Sequence, residues 1–427
     1  MAYRVQCATY NGHLAKGHDL QDPQGGLGAW LGPALGNQEA VEEAPDFVAV
    51  GLQELMPLHL ALAGFSSTSL ALSDSQLQAA IESRFTPSAS STSSLKATRA
   101  SYTRIAVHSI GGIALIVYAR RGTVAERVQS IEVSTAGCGV LGLMGNKGAV
   151  GVRVTLVEPE AEKGKGGGQS VFTFVTAHLA AHQGRKYLDR RNADWRSIVQ
   201  RLVFVGEDGR ERQLFDTGNV FFFGDLNYRI SLTTPTPLPY SGFSSHLAAL
   251  TSSSSPPSAQ RAYSSLLPHD QLTQERLASR TLHHLREGDI AFPPSYKFKL
   301  GTSEYKMDEK KVPSWTDRIL YASAAGEEVK VERYDSVMDF KQSDHKPVTA
   351  LFYLPRSSAS TSRLPFSSPF PIDPSWRLKK ALGLVLDRFV GSVWCIVMLA
   401  GFNRDARVGL ANLLLAALTI YYRRYWM

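Results

Sequence analysis

Cysteine is scarce: Cys7, Cys138 and Cys395 are the only three in 427 residues, and they stand far apart with no CxxC pair and no neighbouring histidine. That excludes a disulfide framework and a structural zinc site, and it fits a reducing, cytosolic setting. The N-terminus, MAYRVQCATYN, lacks the basic stretch and apolar stretch of a secretory signal, so the folded part is expected to stay on the cytosolic side. There is no internal repeat and no long block of like charge. A chain that is 44% hydrophobic and 20% charged, with 35 Gly and 21 Pro, is an ordinary folded one with generous loops, which excludes collagen, coiled coil and wholesale disorder. Lys plus Arg outnumber Asp plus Glu by 46 to 38, a net charge of +8. This mild excess favours an anionic partner, whether nucleic acid, phosphorylated small molecule or acidic membrane.

What is abundant is short apolar runs. Arg4 to Tyr10, Phe47 to Leu52, Ile110 to Tyr118, Ala149 to Val157, Val171 to Thr176, Val220 to Phe223, Ile319 to Ala322 and Val348 to Leu354 read as strands, bounded by Gly, Pro and Ser. Between Arg185 and Phe204 the residues Leu188, Trp195, Ile198, Val199 and Leu202 recur at helical spacing among charges, which predicts a helix packed on one side of a sheet. Strands and helices mixed without regular βαβ alternation predict an α/β sandwich with a largely antiparallel core. Thr86 to Ser101, Glu160 to Gln169, Ser244 to Gln260 and Arg356 to Pro374 read as loops or linkers, too poor in apolar surface to offset chain entropy. The expected organisation is a catalytic domain over 1–355, a Ser/Pro-rich linker over 356–374 and a tail over 375–427.

The strands end on chemistry. The first apolar run ends on Asn11, FVAVGLQ on Glu54, VFTFVTA on His178, and NVFFFG on Asp225 and Asn227. Two later segments reverse the order: Asp317 and Arg318 precede Ile319 to Ala322, and Asp344 and His345 precede Val348 to Leu354. In an antiparallel arrangement strand ends and strand beginnings meet at one edge, so all six segments can line one cleft. Singly, each residue reads as a turn former, a solvated loop end or a simple ion pair. Together they supply what cation-assisted hydrolysis of a phosphate ester needs: carboxylates for magnesium, imidazoles for the phosphate and an acceptor for water.

Two segments carry a resemblance. FFFGDLNYR at Phe221 to Arg229 and PSWTDRIL at Pro313 to Leu320 resemble the two signature motifs of the inositol polyphosphate 5-phosphatases, with Phe222 where that family usually has Trp. TYN, GLQEL, GNKGAV, HLAAH, PPSYKF and SDHKPV follow the family's order over about residues 1 to 355. The resemblance implies the four-layer α/β sandwich of DNase I-like enzymes, carrying a C-terminal apolar helical tail here. It implies a magnesium cofactor, with Glu54 the principal ligand and Asn11 beside it. It further implies that Asp225 orients or deprotonates the attacking water, that Asn227 holds the scissile phosphate, and that His178 and His345 contact it. Asp317 would orient the His345 ring and Asp344 would complete the metal and water site; His182 has an equal reading as a helix-entry residue. Tyr296, Lys297, Lys310 and Lys311 would grip the neighbouring 4-phosphate, the two adjacent lysines reading equally as solvated loop charge. Lys147 lies between glycines that let backbone approach a phosphate. No Cys-loop-Arg arrangement is present, in agreement with direct attack by water and no phosphoenzyme.

The tail has apolar runs Phe389 to Phe402 and Val408 to Tyr422, separated by NRDAR. At 1.5 Å per residue each covers ~21–23 Å, short of the ~30 Å hydrocarbon layer. A shallow hairpin, an interfacial helix pair, a terminal anchor in a thin membrane and a hairpin packed on the enzyme all remain open. Basic flanks Arg377, Lys379, Lys380, Arg423 and Arg424, with Trp426, favour membrane contact. The layout is similar to that of fungal tail-anchored 5-phosphatases of the endoplasmic reticulum that act on phosphatidylinositol 4,5-bisphosphate. The expected substrate is therefore a phosphoinositide lipid, met at the cytosolic face of an intracellular membrane by a monomer, with no nucleic acid as partner. The rival readings are a silent phosphoinositide-binding scaffold and another DNase I-like phosphodiesterase, such as an endonuclease or a sphingomyelinase.

Overall fold

The computed structural model describes residues 2–13, 26–35, 44–85, 100–158, 168–252, 263, 265–308, 311–355, 363–403 and 405–426. Its strands are β1 (Ala2–Asn11), β2 (Phe47–Gln53), β3 (Tyr102–Ile110), β4 (Ile113–Arg120), β5 (Val128–Gly137), β6 (Gly148–Val157), β7 (Gln169–His178), β8 (Phe204–Val205), β9 (Glu211–Arg212), β10 (Asn219–Asp225), β11 (Arg286–Glu287), β12 (Asp317–Ser323), β13 (Lys330–Ser336) and β14 (Val348–Pro355). The helices are α1 (Leu31–Leu35), α2 (Leu58–Ala63), α3 (Ser67–Arg84), α4 (Arg185–Arg201), α5 (Tyr240–Ser252), α6 (Gln271–Leu277), α7 (Trp376–Ala400) and α8 (Ala406–Trp426).

Two six-stranded sheets, ordered β13-β14-β1-β2-β4-β3 and β11-β12-β10-β7-β6-β5, face each other. The space between them is filled by Val5, Cys7, Phe47 and Leu115 from the first and Val152, Phe172, Phe174 and Phe221 from the second, all buried. The other face of the second sheet carries Val175, Phe222 and Leu320 under Trp195 and Ile198 of α4, while the other face of the first lies under Trp30, Leu77 and Ile81. The result is the expected four layers. Strands buried on both faces have no polar side to show, which is why they read as unbroken apolar runs. Phe222 packs edge-on against Trp195 with ring centroids 5.1 Å apart, so the residue that departs from the family's Trp serves packing.

The pairing is mostly antiparallel, but at the centre of the sheets β1 runs parallel to β2 and β10 parallel to β7. β3, β5 and β13, like the two-residue β8, β9 and β11, have no counterpart among the apolar runs of the sequence. The first three carry charge or Ser on half-exposed faces, so an unbroken apolar run is the wrong signal for them. The strand expected from Ile110 begins at Ile113 because Gly111, with φ 51°, and Gly112 form the turn of the β3–β4 hairpin, where Ile110 pairs with Ile113.

Composition marked 356–374 as a linker, but residues 363–375 pack back on the second helical layer. The Leu364 amide donates to the Thr217 carbonyl at 2.8 Å, Phe366 stacks on His284 at 4.4 Å, and Arg196 covers the Phe370 ring at 4.9 Å. α7 then runs along α2, and α8 folds back on α7, where Asn412 Nδ2 donates to the Ala400 carbonyl at 2.8 Å. Of the helices among the described residues, α7 is long and apolar enough to cross a membrane. Leu378, Leu382, Val385, Phe389, Val393 and Ile396 form an exposed stripe along it.

Candidate active site

Strand register assembles the site. In the second sheet Asp225, the last residue of β10, stands opposite His178, the last of β7, and opposite Asp317, the first of β12. In the first sheet Asn11 ends β1 opposite Gln53 of β2, so Glu54 lies one step beyond, and Asp344 and His345 lie just before β14, the antiparallel neighbour of β1. The two edges meet where Asn11 Nδ2 donates to Asp225 Oδ2 at 2.9 Å. Asn11, Glu54, His178, Asp225, Asn227, Tyr296, Lys297, Lys311, Asp344 and His345 all line one cleft of about 640 Å³. Glu54 and Asn227 take left-handed backbone, with φ 50° and 58°, costs of order 1–3 kcal/mol each that the surrounding sheets sustain.

The Asp317 carboxylate accepts from Ser295 Oγ at 2.7 Å and Thr316 Oγ1 at 2.9 Å and faces His345 Nδ1 at 2.9 Å. Burial alone would push the His345 pKa down, but Asp317 and Asp225 outweigh it and lift it to about 10, so the ring is an imidazolium at neutral pH. Asp225 also has burial against it, and His345, His178 and Lys147 overcome that to hold its carboxyl well below the usual range. Asp317 is raised by burial, with the imidazolium opposing. His178 is lowered by burial first and by the Lys147 ammonium second; Lys147 Nζ sits directly on its Nε2, which also faces Asp225 Oδ2 at 3.3 Å. The two histidines are thus in opposite states: His345 offers an Nε2 proton to an anion, and His178 is neutral.

Several expected residues are more occupied than their motifs implied. Asn227 Nδ2 donates to the Leu179 carbonyl at 3.2 Å and its Oδ1 accepts from the Arg229 guanidinium, leaving one amide proton for a ligand. Lys297 Nζ donates to Asp344 Oδ2 at 2.6 Å. Lys311 and His182 line the cleft, while Lys310 lies outside the described residues. Arg318 does not pair with its neighbour Asp317. It is fully buried and bonds Glu287 at 2.6 and 2.8 Å and Asp270 at 2.9 Å. Arg318→Met therefore takes the guanidinium from buried Asp270 and leaves Glu287 to Arg276 and Tyr334, with an expected loss of about 3–5 kcal/mol in urea unfolding; an unchanged midpoint and slope would refute it.

Among the cleft residues that no sequence signal singles out are His13 and Arg229. His13 Nδ1 lies 3.2 Å from Asp344 Oδ1 and 3.8 Å from Glu54 Oε2. Its position two residues past a strand end carried no signal. Arg229 stood inside FFFGDLNYR, and its guanidinium covers the Tyr296 ring at 4.3 Å, placing a cation on the cleft wall. Asn11 and Glu54 offer oxygens, the donors that suit a hard divalent ion, with the His13 imidazole 3.8 Å from Glu54. Asp344 Oδ1, buried and without a hydrogen bond, lines the same cleft on the far side of His13 Nδ1. Asp225, Asp317 and His345 also have ligand atoms within 4.8 Å of one another, but there a charged imidazolium already bonds the carboxylate and would repel a cation.

The sequence profile of endonuclease/exonuclease/phosphatase family 2 matches residues 8–351. Type IV inositol polyphosphate 5-phosphatase 3 of Arabidopsis thaliana is 31% identical over 260 residues, 60% of this chain and 34% of the relative. Inositol-1,4,5-trisphosphate 5-phosphatase 1 of Schizosaccharomyces pombe is 32% identical over 252 residues, 59% of this chain and 20% of the relative. The chain thus spans about a third or less of the length of these relatives. The inositol polyphosphate 5-phosphatase domain of SpSynaptojanin, solved with inositol (1,4)-bisphosphate and calcium ion, superposes with TM-score 0.60 and 25% identity over 91% of this chain and 90% of that domain. Cimex nitrophorin, at 19% identity and TM-score 0.54 over 83% of this chain and 98% of that one, shares the fold alone. Fold by itself does not fix chemistry.

Proposed function

Because this chain belongs to endonuclease/exonuclease/phosphatase family 2, we propose that it is an inositol polyphosphate 5-phosphatase. Its reaction is hydrolysis of the 5-phosphate of phosphatidylinositol 4,5-bisphosphate, or of a related inositol polyphosphate, by direct attack of water. The observation that carries this reading is the array His178–Asp225–Asp317–His345 at the joined sheet edges, with one imidazolium and one depressed carboxylate facing the same cleft. Asp225 is too weak a base to do more than orient the water and receive its proton late. His345 donates Nε2–H to a phosphoryl oxygen as charge builds there, and the remaining Asn227 amide proton holds a second oxygen. Asn11 and Glu54, with Asp344 of the same cleft, would hold the metal. Bound magnesium supplies positive charge to the scissile phosphate and the leaving oxygen. Phosphate release from a panel of inositol phosphates, phosphoinositides and DNA, with and without magnesium, tests the reading. Release from none of the inositol substrates would end it, and DNA cleavage would turn it toward a nuclease.

Selectivity for a 4-phosphate fits Lys297 and Lys311, two cations that line the cleft with Tyr296. Lys311→Ala is expected to slow substrates carrying a 4-phosphate roughly ten- to a hundredfold more than those lacking it, the worth of a charge-assisted contact of ~1.5–3 kcal/mol. Equal losses on both would return Lys311 to solvated loop charge. Lys297→Ala should show the same preference plus a general loss, because it also frees Asp344.

Membrane contact rests on α7. Its exposed side is the apolar one, with Phe389 68% and Val385 64% exposed, and its enzyme-facing side carries the charge and the glycines, the reverse of a soluble amphipathic helix. Serine at Leu382, Val385 and Phe389 together is expected to abolish sedimentation with anionic vesicles while turnover of a soluble inositol phosphate persists. Undiminished sedimentation would remove α7 from the membrane reading.

A further inference from the structure

The side of α7 that faces the enzyme touches two loops, one from each sheet. On one flank Asp387, 4% exposed, brings both carboxylate oxygens to 3.0 Å from the Gly145 amide. Gly383, one turn earlier, lies over the Leu143 carbonyl so closely that a Cβ there would come within 2.5 Å of it. Leu143 and Gly145 belong to the turn between β5 and β6 that ends on Lys147, the ammonium seated on His178. On the other flank Gly391 backs onto α2, where a Cβ would meet the Ala63 amide nitrogen at 2.2 Å, and Cys395 Sγ reaches the His59 carbonyl at 3.7 Å. α2 follows directly on the turn that holds Glu54. A single helix therefore braces the segment delivering Glu54 from the first sheet against the segment delivering Lys147 from the second.

The turn before Lys147 is itself tightly drawn. The Cys138 amide donates to the Lys147 carbonyl at 2.8 Å, the Val140 amide to Asn146 Oδ1 at 3.0 Å, and Arg201 to the Gly142 carbonyl at 3.0 Å. In a loop so constrained a shift at Gly145 has no slack in which to dissipate before Lys147, two residues on. A buried carboxylate is costly without a donor, so Asp387 on this face is explained by the Gly145 amide it meets there. An apolar residue would have packed there at less cost.

We propose that Asp387 is a positioning residue for the reaction: through Gly145 it sets the Lys147 ammonium against His178 of the cleft, making the tail helix part of the catalytic apparatus. The proposal rests on the phosphatase reading. It makes turnover depend on the docked state of α7 even where no membrane is present.

The test uses the full chain and a soluble inositol trisphosphate without lipid. Asp387→Ala is expected to lower kcat roughly tenfold or more with little change in KM, since what is lost is alignment of the reacting groups. Asp387→Asn, whose carbonyl oxygen can still accept from Gly145, recovers most of the rate. In a Lys147→Ala background Asp387→Ala costs almost nothing further, because both changes act on one contact. Hydrogen exchange at the Gly145 amide speeds up in Asp387→Ala and not in Asp387→Asn. A wild-type rate in Asp387→Ala, or an equal fold-loss with and without Lys147, overturns the proposal. If Asp387→Ala fails to fold, Asp387→Ser, too short to reach Gly145, takes its place under the same criteria. Should the wild-type chain release no phosphate at all, the phosphatase reading fails while the exchange measurement still decides the brace.

Discussion

Asp225→Asn is expected to reduce turnover by roughly 10³–10⁴-fold while leaving the fold intact. The side chain keeps its shape, so the Asn11 contact at 2.9 Å can be re-formed, and no cavity opens at a residue that is 1% exposed. What disappears is the negative charge at the meeting point of the two sheets. In the proposed reaction that charge would orient water, and it is part of what keeps His345 protonated. The measurement is phosphate release at saturating substrate alongside a thermal melt. Glu54→Ala and removal of the divalent ion with EDTA should produce losses of similar order. Wild-type turnover in Asp225→Asn would show that the cleft is not the reacting centre.

Asp317→Asn tests the second pole of the site and carries a pH signature. In the wild type the carboxylates hold the His345 proton up to about 10, so the donor proposed for the phosphate is charged throughout the neutral range. With asparagine at 317 the largest support is gone, and burial, which opposes the charge, prevails. The His345 pKa then falls toward or below the ordinary histidine value of ~6.5. The basic limb of the pH–rate profile should therefore move to lower pH. At neutral pH the rate should fall by on the order of 10²–10⁴-fold, through both the lost proton and the freed ring. An unshifted basic limb would mean that another group donates to the phosphate. The same shift has a stability consequence of fixed sign. The group's folded pKa is raised, so its stabilising contribution is complete below pH ~6.5 and is lost as pH rises toward about 10.

Much of this was legible in the chain. Strands sandwiched between layers have to be apolar on both faces, so β1, β2, β6, β7, β10, β12 and β14 announced themselves, and the polar residue at which each run stopped marked the sheet edge. Edge strands β3, β5 and β13 did not, because one of their faces meets water and their composition is that of a loop. Segment 363–375 was hidden for a related reason: its Ser and Pro set the average composition, whereas Leu364, Phe366 and Phe370, spaced irregularly, do the packing.

The amino-acid sequence by itself determined which elements exist, that six of their ends carry carboxylate, amide or imidazole groups, and which family they resemble, because these are properties of neighbouring residues. Only the tertiary structure decided protonation and contact. That His345 is charged and His178 neutral follows from who faces each ring: two carboxylates in one case, a lysine and burial in the other. That Lys297 meets Asp344, that Arg318 ignores Asp317 for Glu287 and Asp270, and that Asp387 reaches Gly145 are contacts across 47, 31, 48 and 242 residues of chain. Local spacing contains no information about such distances. They are set by how the two sheets and the returning tail helix pack, and it is there that the chemistry of each group is fixed.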